Sequence, residues 1–248
     1  MTTAAPEAPL APPPTDALLN FVEPGEAPAT RNILLYGPPG SGKSTGAATA
    51  PGPILWLNAE GPNGLRYARE NSKVEIREVA VTGASVLDAA FVYARNPDNG
   101  IKTVVVDTIG EVYRCLVEEL SRAAERPSLQ NYGDVNTKLE RFCRAMRDLP
   151  VNFVILAHEE IADLEGIPTR RPVTGGKKLP EQLMAQVDDI AYTKFYPATE
   201  ENPEPRCVAQ FAETEGRRAK NRGGALGFGQ PVNITDWLAM AAGQNGGN

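Results

Sequence analysis

Short apolar runs alternate with amphipathic segments along most of this chain. In each run the hydrophobic positions are nearly continuous or alternate, which is typical of strands in a sheet covered on both faces. These runs are Ile33–Tyr36, Pro53–Ala59, Val74–Val79, Thr103–Asp107 and Val151–Ala157. Helices are predicted between them, over Ser44–Ala50, Asn63–Glu70, Ser85–Arg95, Gly110–Ala124 and Val135–Leu149. Strands separated by helices predict βαβ crossovers, and therefore an α/β fold with a doubly wound, mostly parallel sheet.

The last third of the chain has a different pattern. Glu159–Lys178 contains several glycines and prolines, so it is predicted to be a long irregular loop that is either functional or disordered. A second polar, turn-rich piece, Glu125–Asp134, separates two of the predicted helices. Antiparallel strands near the C-terminus are expected at Asp189–Phe195 and Arg206–Ala212, followed by a basic stretch, Arg217–Arg222, and a final helix, Ile234–Ala242.

The same pattern divides the chain into a tail, one domain and a short end. Residues 1–30 are rich in Ala and Pro, which favours an extended polyproline-like tail that cannot bury enough surface to fold alone. One apolar segment, Leu18–Val22, interrupts this tail and is predicted to dock either on its own domain or on a neighbouring subunit. Residues 31–242 form the predicted domain, and residues 243–248 a flexible C-terminus.

Composition restricts the class of protein. The chain has 248 residues, 42% of them hydrophobic, which suits one α/β domain with a full-sized core. A net charge of -6 creates no overall positive field toward nucleic acid or membrane, so any DNA contact must be local. Three separated cysteines and one histidine, His158, make a disulfide framework and a zinc site poor explanations. Because no apolar stretch approaches the roughly 20 residues of a membrane-spanning helix, we expect a cytoplasmic protein without a membrane partner.

The first chemical signal lies between the first predicted strand and the first predicted helix. The stretch Gly37–Ser44, GPPGSGKS, fits G-x-x-x-x-G-K-[ST], the phosphate-binding loop, in the strand–loop–helix context that this loop requires. Its backbone N–H groups and the positive end of the following helix are expected to hold phosphates, and Lys43 to reach the β- and γ-phosphates of ATP. The predicted nucleotide contacts are Gly37, Gly40, Ser41, Gly42, Lys43, Ser44 and Thr45, with the Ser44 hydroxyl also on Mg²⁺.

Two carboxylates at strand ends complete the predicted chemistry. Asp107 ends a strand of β-branched residues about 60 residues after the loop, where a carboxylate reaches Mg²⁺. Many ATPases carry Glu directly after this Asp, but here that residue is Thr108. Glu60 ends the second predicted strand and is the candidate that positions or deprotonates the attacking water. Its alternative role is to stabilise the positive end of the next helix.

These residues resemble the core of RecA-type recombinases. Ala59-Glu60, followed by Tyr67-Ala68-Arg69, is similar to the family segment in which Glu is the catalytic base and Tyr lies against adenine. Thr174-Gly175-Gly176 resembles part of the family's second DNA-binding loop. Ala219–Arg222 is similar to the stretch whose two basic residues, here Lys220 and Arg222, reach the γ-phosphate bound by a neighbouring subunit. The resemblance implies a RecA-like P-loop NTPase, closest to phage-encoded proteins of the single-strand annealing type.

The chain also departs from the family pattern. His158 stands where the family usually has Gln to sense the γ-phosphate, and it is either such a sensor or a structural histidine. The second loop lacks the family's aromatic residue and carries instead the predicted DNA contacts Arg170, Arg171, Lys177 and Lys178. Arg122, Arg126 and Tyr132, near the other polar piece, extend this hypothesis. Alternatively, the basic loop is a solvated segment whose charges balance Asp163 and Glu165.

The expected function is ATP hydrolysis coupled to single-stranded DNA in recombination, repair or annealing. The resemblance implies a homo-oligomer, either a ring or a filament. If the protein is phage-encoded, it acts in the cytoplasm of a bacterial host. A single-strand-binding protein is a further candidate partner. Three alternatives stay open: a P-loop kinase of a small molecule with Glu159–Lys178 as its lid, a non-catalytic recombination accessory module, and an AAA-type loader. Thr108 and the shortage of chain for a helical lid domain argue against the last of these.

Overall fold

The computed structural model describes residues 30–122, 128–176, 178–214 and 216–244. The strands in these ranges are β1 (Asn32–Gly37), β2 (Ile54–Asn58), β3 (Ile76–Ala80), β4 (Thr103–Asp107), β5 (Asn152–Leu164), β6 (Ile167–Pro172), β7 (Asp189–Tyr196), β8 (Arg206–Gln210), β9 (Lys220–Asn221) and β10 (Gly229–Pro231). The helices are α1 (Lys43–Ala47), α2 (Arg66–Asn71), α3 (Ala84–Arg95), α4 (Ile109–Ser121), α5 (Leu129–Arg147), α6 (Leu179–Gln186) and α7 (Ile234–Gln244).

The strands form one mixed sheet in the order β10-β8-β7-β1-β5-β4-β2-β3. From β7 to β3 all neighbours are parallel, whereas β8 is antiparallel to β7 and β10 is antiparallel to β8. In register, Gly37 lies beside His158, and Asn58 lies beside Asp107. The carboxyl ends of β1, β5, β4 and β2 therefore meet along one edge of the sheet, which we call the carboxyl edge. The predicted α/β, doubly wound, mostly parallel fold is confirmed.

Alternation along the strands separates two hydrophobic cores, one on each face of the sheet. Leu34 and Tyr36 of β1 belong to the core covered by α3, α4, α5 and α6. Ile33 and Leu35 belong to the core covered by α1, α2 and α7. Nearly continuous hydrophobic strands are needed because both faces are buried, which explains why the apolar runs predicted the parallel strands well.

The predicted loop Glu159–Lys178 is wrong over most of its length. Strand β5 continues to Leu164, and β6 returns beside it as an antiparallel hairpin. Glu165 and Gly166 both have positive φ, 56° and 87°, which is the backbone of a two-residue type I′ turn. The prolines of β6 are tolerated because, apart from β5, this strand has only one described bridge, between Arg170 and Arg217, which involves neither Pro168 nor Pro172.

The predicted break over Glu125–Asp134 is also too long. Helix α5 begins at Leu129, because Ser128 and Asn131 form a reciprocal capping box: the Ser128 hydroxyl accepts from the Asn131 N–H, and the Asn131 side chain accepts from the Ser128 N–H. Helix α6 was not predicted at all. It starts with Leu179-Pro180, and Pro suits the first turn of a helix, where its missing N–H has no partner to lose.

Several predictions lie outside the described residues. They are the tail with Leu18–Val22, the end of the helix predicted to reach Ala124, Arg126, Lys177 and the last residues, 245–248. Among the helices that the structure describes, none combines the length and the apolar character needed to cross a membrane.

Candidate active site

The phosphate-binding loop leaves β1 at Gly37 and turns into α1 at Lys43. Gly42 has φ 85°, and a Cβ placed on it would lie 2.8 Å from the Cys207 side chain on β8. A Cβ on Gly37 would overlap the Thr193 carbonyl on β7. Glycine is therefore required at Gly42 because the backbone there is left-handed, and at Gly37 because β1 and β7 approach each other closely. The loop is built against β7 and β8, which the motif alone does not reveal.

Ser41 fixes the loop to the sheet. Its hydroxyl lies 2.8 Å from the Thr193 hydroxyl, which in turn donates to the Tyr36 carbonyl at 3.2 Å. The Ser41 N–H donates to the Pro38 carbonyl at 3.3 Å, and the residue is 1% exposed. Ser41, predicted to contact phosphate, thus uses both its hydroxyl and its N–H to hold the loop in shape.

Lys43 is folded over the loop that it follows. Its Nζ donates to the carbonyls of Gly37 and Pro38 at 3.0 and 2.9 Å, and the residue is 7% exposed. Burial lowers the pKa of Lys43, while the nearby carboxylates of Glu60, Asp107 and Glu159 act in the opposite direction. The ammonium group is therefore held at the mouth of the loop, where a phosphate would replace two carbonyls as its partner.

Ser44 and Asp107 form a pair next to this ammonium group. The Ser44 hydroxyl donates to Asp107 Oδ2 at 3.1 Å, whereas Asp107 Oδ1 is buried and has no hydrogen-bond partner among the described residues. Asp107 is 2% exposed, and burial, together with the negative charge of Glu60, raises its pKa to about 7. A hydroxyl and a carboxylate with an unsatisfied oxygen are protein ligands that Mg²⁺ takes when phosphates supply its other ligands. These residues fit the predicted metal site.

The raised pKa of Asp107 predicts a stability that depends on pH. Because the folded value of about 7 lies above the unfolded value of about 3.9, the stability that protonated Asp107 contributes is present below about pH 4 and is lost as the pH rises from about 4 to about 7. Asp107→Asn removes this loss. From pH 5 to pH 8 we expect the free energy of unfolding of the wild type to fall by about 2–3 kcal/mol more than that of the variant. Urea denaturation without nucleotide measures this gain, and a difference that stays constant with pH would contradict the prediction.

Glu60 and His158 contact each other at the carboxyl edge. His158 Nε2 lies 2.8 Å from Glu60 Oε1, and the two side chains are 37% and 27% exposed. His158 directly follows the buried part of β5, beside Gly37 in register. The candidate base and the candidate sensor of the γ-phosphate therefore form one unit, which sequence reasoning treated as two separate residues.

Asn58 positions the turn that carries Glu60, and sequence reasoning missed it. Asn58 Oδ1 accepts from the Glu60 N–H at 2.9 Å, while Nδ2 donates to the Gly61 carbonyl at 2.8 Å and to Glu78 at 2.6 Å. The residue is 4% exposed. A polar residue at the end of an apolar strand is the only sequence signal for this role, and its partners depend on the fold.

Glu159 is a second carboxylate that sequence reasoning missed as part of the site. It raises the pKa of Lys43, although less than Glu60 and Asp107 do. Its Oε2 is buried 3.7 Å from Arg170 Nε and has no hydrogen-bond partner in the part of the chain that the structure describes. Because successive residues of a strand point to opposite faces, Glu159 lies on the other side of β5 from His158.

The predicted adenine contact is exposed, whereas the Thr-Gly-Gly segment of the predicted DNA loop is packed against the domain. Tyr67, on α2, is 66% exposed and open to a stacking partner. Thr174, in contrast, is fully buried, and a Cβ on Gly175 would overlap the ring of Tyr113 on α4. The Thr-Gly-Gly segment is therefore packed against the domain rather than projecting from it.

Of the predicted DNA contacts that the structure describes, Arg170 and Arg171 are paired with carboxylates, whereas Lys178 is exposed. Arg170 lies 3.7 Å from Glu159, and Arg171 lies 2.8 Å from Glu160, with the Arg171 side chain only 17% exposed. Lys178 is exposed at the start of α6. In the hairpin, each arginine is thus opposed by a carboxylate of the neighbouring strand.

Lys220 and Arg222 lie far from the loop of their own chain. Strand β9 pairs with Asp189 and Ile190, the first residues of β7, at the edge of the sheet opposite the carboxyl edge. Lys220 Nζ donates to the carbonyl of Val187, just after α6, at 2.6 Å, and burial lowers its pKa. Arg222 is paired with Asp188 at 2.9 Å, and its side chain is 62% exposed. Neither residue can reach its own phosphate loop.

The fold and the site define a P-loop nucleotide-binding domain. A family model described as an AAA domain, AAA_24, matches residues 29–223, so the chain belongs to this family. It is therefore an AAA-type P-loop ATPase domain, which agrees with the predicted class of ATPase core. Thr108 argued against an AAA protein, and the match shows that the missing acid after Asp107 does not exclude this family.

Comparisons with curated proteins and with solved structures add no closer relationship. No curated protein matches the chain. Among solved structures, the flagellar accessory protein FlaH from Methanocaldococcus jannaschii matches with 10% identity and a TM-score of 0.44, over 74% of this chain and 78% of that one.

Proposed function

We propose that this chain hydrolyses ATP as a subunit of a homo-oligomer, in which Arg222 of one subunit reaches the nucleotide of its neighbour, and that the assembly acts on single-stranded DNA in recombination, repair or annealing. The observation that carries the hydrolysis is the Glu60–His158 pair, which lies at the same sheet edge as the Ser44–Asp107 pair and Lys43. A phosphate cradle, a candidate metal site and a candidate base are thus supplied by one chain. Each of them has a role in phosphoryl transfer.

The residues divide the work of hydrolysis as follows. Glu60 accepts a hydrogen bond from the attacking water and aligns it with the γ-phosphate, while Asn58 keeps the Glu60 turn in place. Lys43 exchanges its two carbonyl partners for phosphate oxygens and stabilises charge that develops on them. Mg²⁺, when bound by Ser44 and Asp107, would supply neutralisation of the phosphate oxygens.

His158 links the candidate base to the β5–β6 hairpin. Its imidazole contacts Glu60, and its carbonyl accepts from the Val173 N–H at 2.8 Å, where the chain leaves the hairpin. An imidazole that contacts Glu60 can exchange that contact for a phosphate oxygen when nucleotide is present. This supports the sensor role over a purely structural one.

The best-supported DNA surface lies near the start of α5 rather than on the hairpin. Tyr132 is 39% exposed and Leu129 is 91% exposed on the first turns of α5. The Thr-Gly-Gly segment packs against Tyr113 of α4 and Asn136 of α5, one helical turn from Tyr132, and the exposed Lys178 follows this segment two residues later. An exposed aromatic ring together with an exposed ammonium group is the combination that binds single strands by stacking and phosphate contact.

The hairpin is a poor candidate for the same role. Its two arginines are opposed by Glu159 and Glu160, and its tip adds Asp163 and Glu165. The same observation weakens a small-molecule kinase, because the segment expected as an Arg-bearing lid is a paired hairpin followed by a packed loop.

Two double variants separate these surfaces. We expect Tyr132→Ala with Lys178→Ala to weaken binding of single-stranded DNA about tenfold or more and to reduce its salt dependence, because stacking and one phosphate contact are lost. Arg170→Ala with Arg171→Ala should change binding less than twofold. Fluorescence anisotropy across a salt series measures both, together with ATP turnover with and without DNA. The reverse ranking would place DNA on the hairpin, and absence of binding by the wild type would overturn the DNA role.

A further inference from the structure

Trp56 lies in the middle of β2, within the hydrophobic core covered by α1, α2 and α7, and it is completely buried. Its indole N–H has no hydrogen-bond partner among the described residues. In that part of the chain, every other buried side-chain atom without a partner is an oxygen, so Trp56 Nε1 is the one such nitrogen. Because an indole nitrogen can only donate, Trp56 holds a buried donor that lacks an acceptor.

An acceptor without a described partner, Asp107 Oδ1, lies diagonally across the sheet from this donor. Trp56 is beside Val105 in register on the parallel strand β4, and both side chains belong to the same core. Asp107 follows Val105 by two residues, so its side chain leaves the same face of the sheet. The Cβ atoms of Trp56 and Asp107 are therefore about 8 Å apart, a distance that an indole ring and a carboxylate group span together.

The two groups are close to each other but are not bonded. Burial and the charge of Glu60 raise the pKa of Asp107, whereas the Trp56 N–H is one of the neighbours that lower this pKa. Trp56 Nε1 nevertheless lies outside hydrogen-bond geometry, and Asp107 is bonded through Oδ2 to Ser44 instead. The last torsion of an aspartate is soft, so the carboxylate can rotate to meet a donor beside it.

We propose that Trp56 is a positioning residue for Mg²⁺: its indole N–H donates to Asp107 Oδ1 when Oδ2 and the Ser44 hydroxyl are on the ion. This role depends on the proposed binding of Mg²⁺ by Asp107. A hydrogen bond to one carboxylate oxygen fixes the orientation of the group, so that the other oxygen faces the metal. Packing alone does not account for an indole at this position, because Phe would fill the core there without burying an unpaired donor.

The indole signals of the wild-type chain test this contact without hydrolysis. Trp56 and Trp237 are the two tryptophans of the chain, so isotope labelling of the indole nitrogens gives two N–H resonances. The Trp237 N–H already donates to the Pro231 carbonyl at 2.9 Å and serves as the internal control. In the presence of excess ADP, we expect Mg²⁺ to move the Trp56 resonance downfield, as a new hydrogen bond to a carboxylate does, and to leave the Trp237 resonance in place. Absence of this shift, or equal shifts of both resonances, would overturn the proposal.

A matched pair of variants tests the consequence for the metal. Trp56→Phe keeps most of the buried ring and removes the donor, and Trp237→Phe makes the same change at the other buried tryptophan. We expect Trp56→Phe to raise the Mg²⁺ concentration for half-maximal binding of a fluorescent ADP analogue about 10- to 100-fold, the range found when a group that orients a metal ligand is lost. Trp237→Phe should leave this concentration unchanged. Wild-type Mg²⁺ dependence of Trp56→Phe, or an equal loss in both variants, would contradict the role of Trp56.

Thermal unfolding without nucleotide separates positioning from packing. Trp237→Phe loses a hydrogen bond that the fold contains, whereas Trp56→Phe loses none, so we expect Trp237→Phe to unfold at the lower temperature. The opposite order would show that the Trp56 N–H already serves the fold and would count against the proposal. Nucleotide binding that is independent of Mg²⁺ would remove the metal site itself, whereas Mg²⁺-dependent binding without a Trp56 shift would remove only the role of Trp56.

Discussion

Glu60→Gln should bind ATP as the wild type does and lower turnover about 10²- to 10⁴-fold, the range expected when a general base is removed. Gln keeps the size of the side chain and can still contact His158, but it cannot accept a proton from the attacking water. The Asn58 contacts to the turn involve backbone groups of Glu60 and Gly61, so they remain in the variant. Fluorescent-nucleotide binding and phosphate release, measured on the same preparation, separate affinity from turnover.

Two further variants make this result specific. Glu111→Gln changes a carboxylate on α4 that pairs with Arg114 on the same helix, and it should not affect turnover. Glu159→Gln changes the other carboxylate near Lys43. If Glu159→Gln abolishes turnover while Glu60→Gln does not, the base has been assigned to the wrong side of β5.

The parallel core of the fold was predictable because its strands are buried on both faces and therefore leave continuous apolar runs. The hairpin was not, since residues 159–172 are polar, contain prolines and face solvent on a sheet edge. Helix α5 was predicted to start late because its first turns are polar and solvent-exposed, and the Ser128–Asn131 capping box was not recognised. Local propensity is a weak guide where neither burial nor periodicity constrains the chain.

The site was predictable where the chemistry is local in sequence. The loop Gly37–Ser44 and the strand ending at Asp107 carry their own signals. The contacts of Asn58 with the Glu60 turn and of His158 with Glu60 depend on strand order and register, which a single sequence does not supply. For the same reason, counting Arg170 and Arg171 as free charges overlooked the carboxylates that face them across the hairpin.

Arg222→Ala should lower turnover of the assembled protein about 10³-fold or more, the effect of removing an arginine that stabilises the transferring phosphoryl group. Arg222 is 62% exposed in its pair with Asp188, and Asp188 keeps its hydrogen bonds from Asn32 when that pair is released, so the release costs little. Lys220→Ala is the informative comparison, because Lys220 is bound to carbonyls at the end of α6 in its own chain. We expect this variant to lose about 1–2 kcal/mol of stability and to keep the turnover of its folded fraction, so that Arg222 alone acts between subunits.

The most direct test of a shared site is to mix two inactive variants. Lys43→Ala has a defective phosphate loop and an intact Arg222, whereas Arg222→Ala has the opposite defect. In a randomly mixed equimolar assembly, half of the subunits have an intact loop and half of their neighbours supply Arg222, so turnover should recover to about a quarter of the wild-type value. Turnover equal to the average of the two variants alone would show that each chain completes its own site, and would contradict the account.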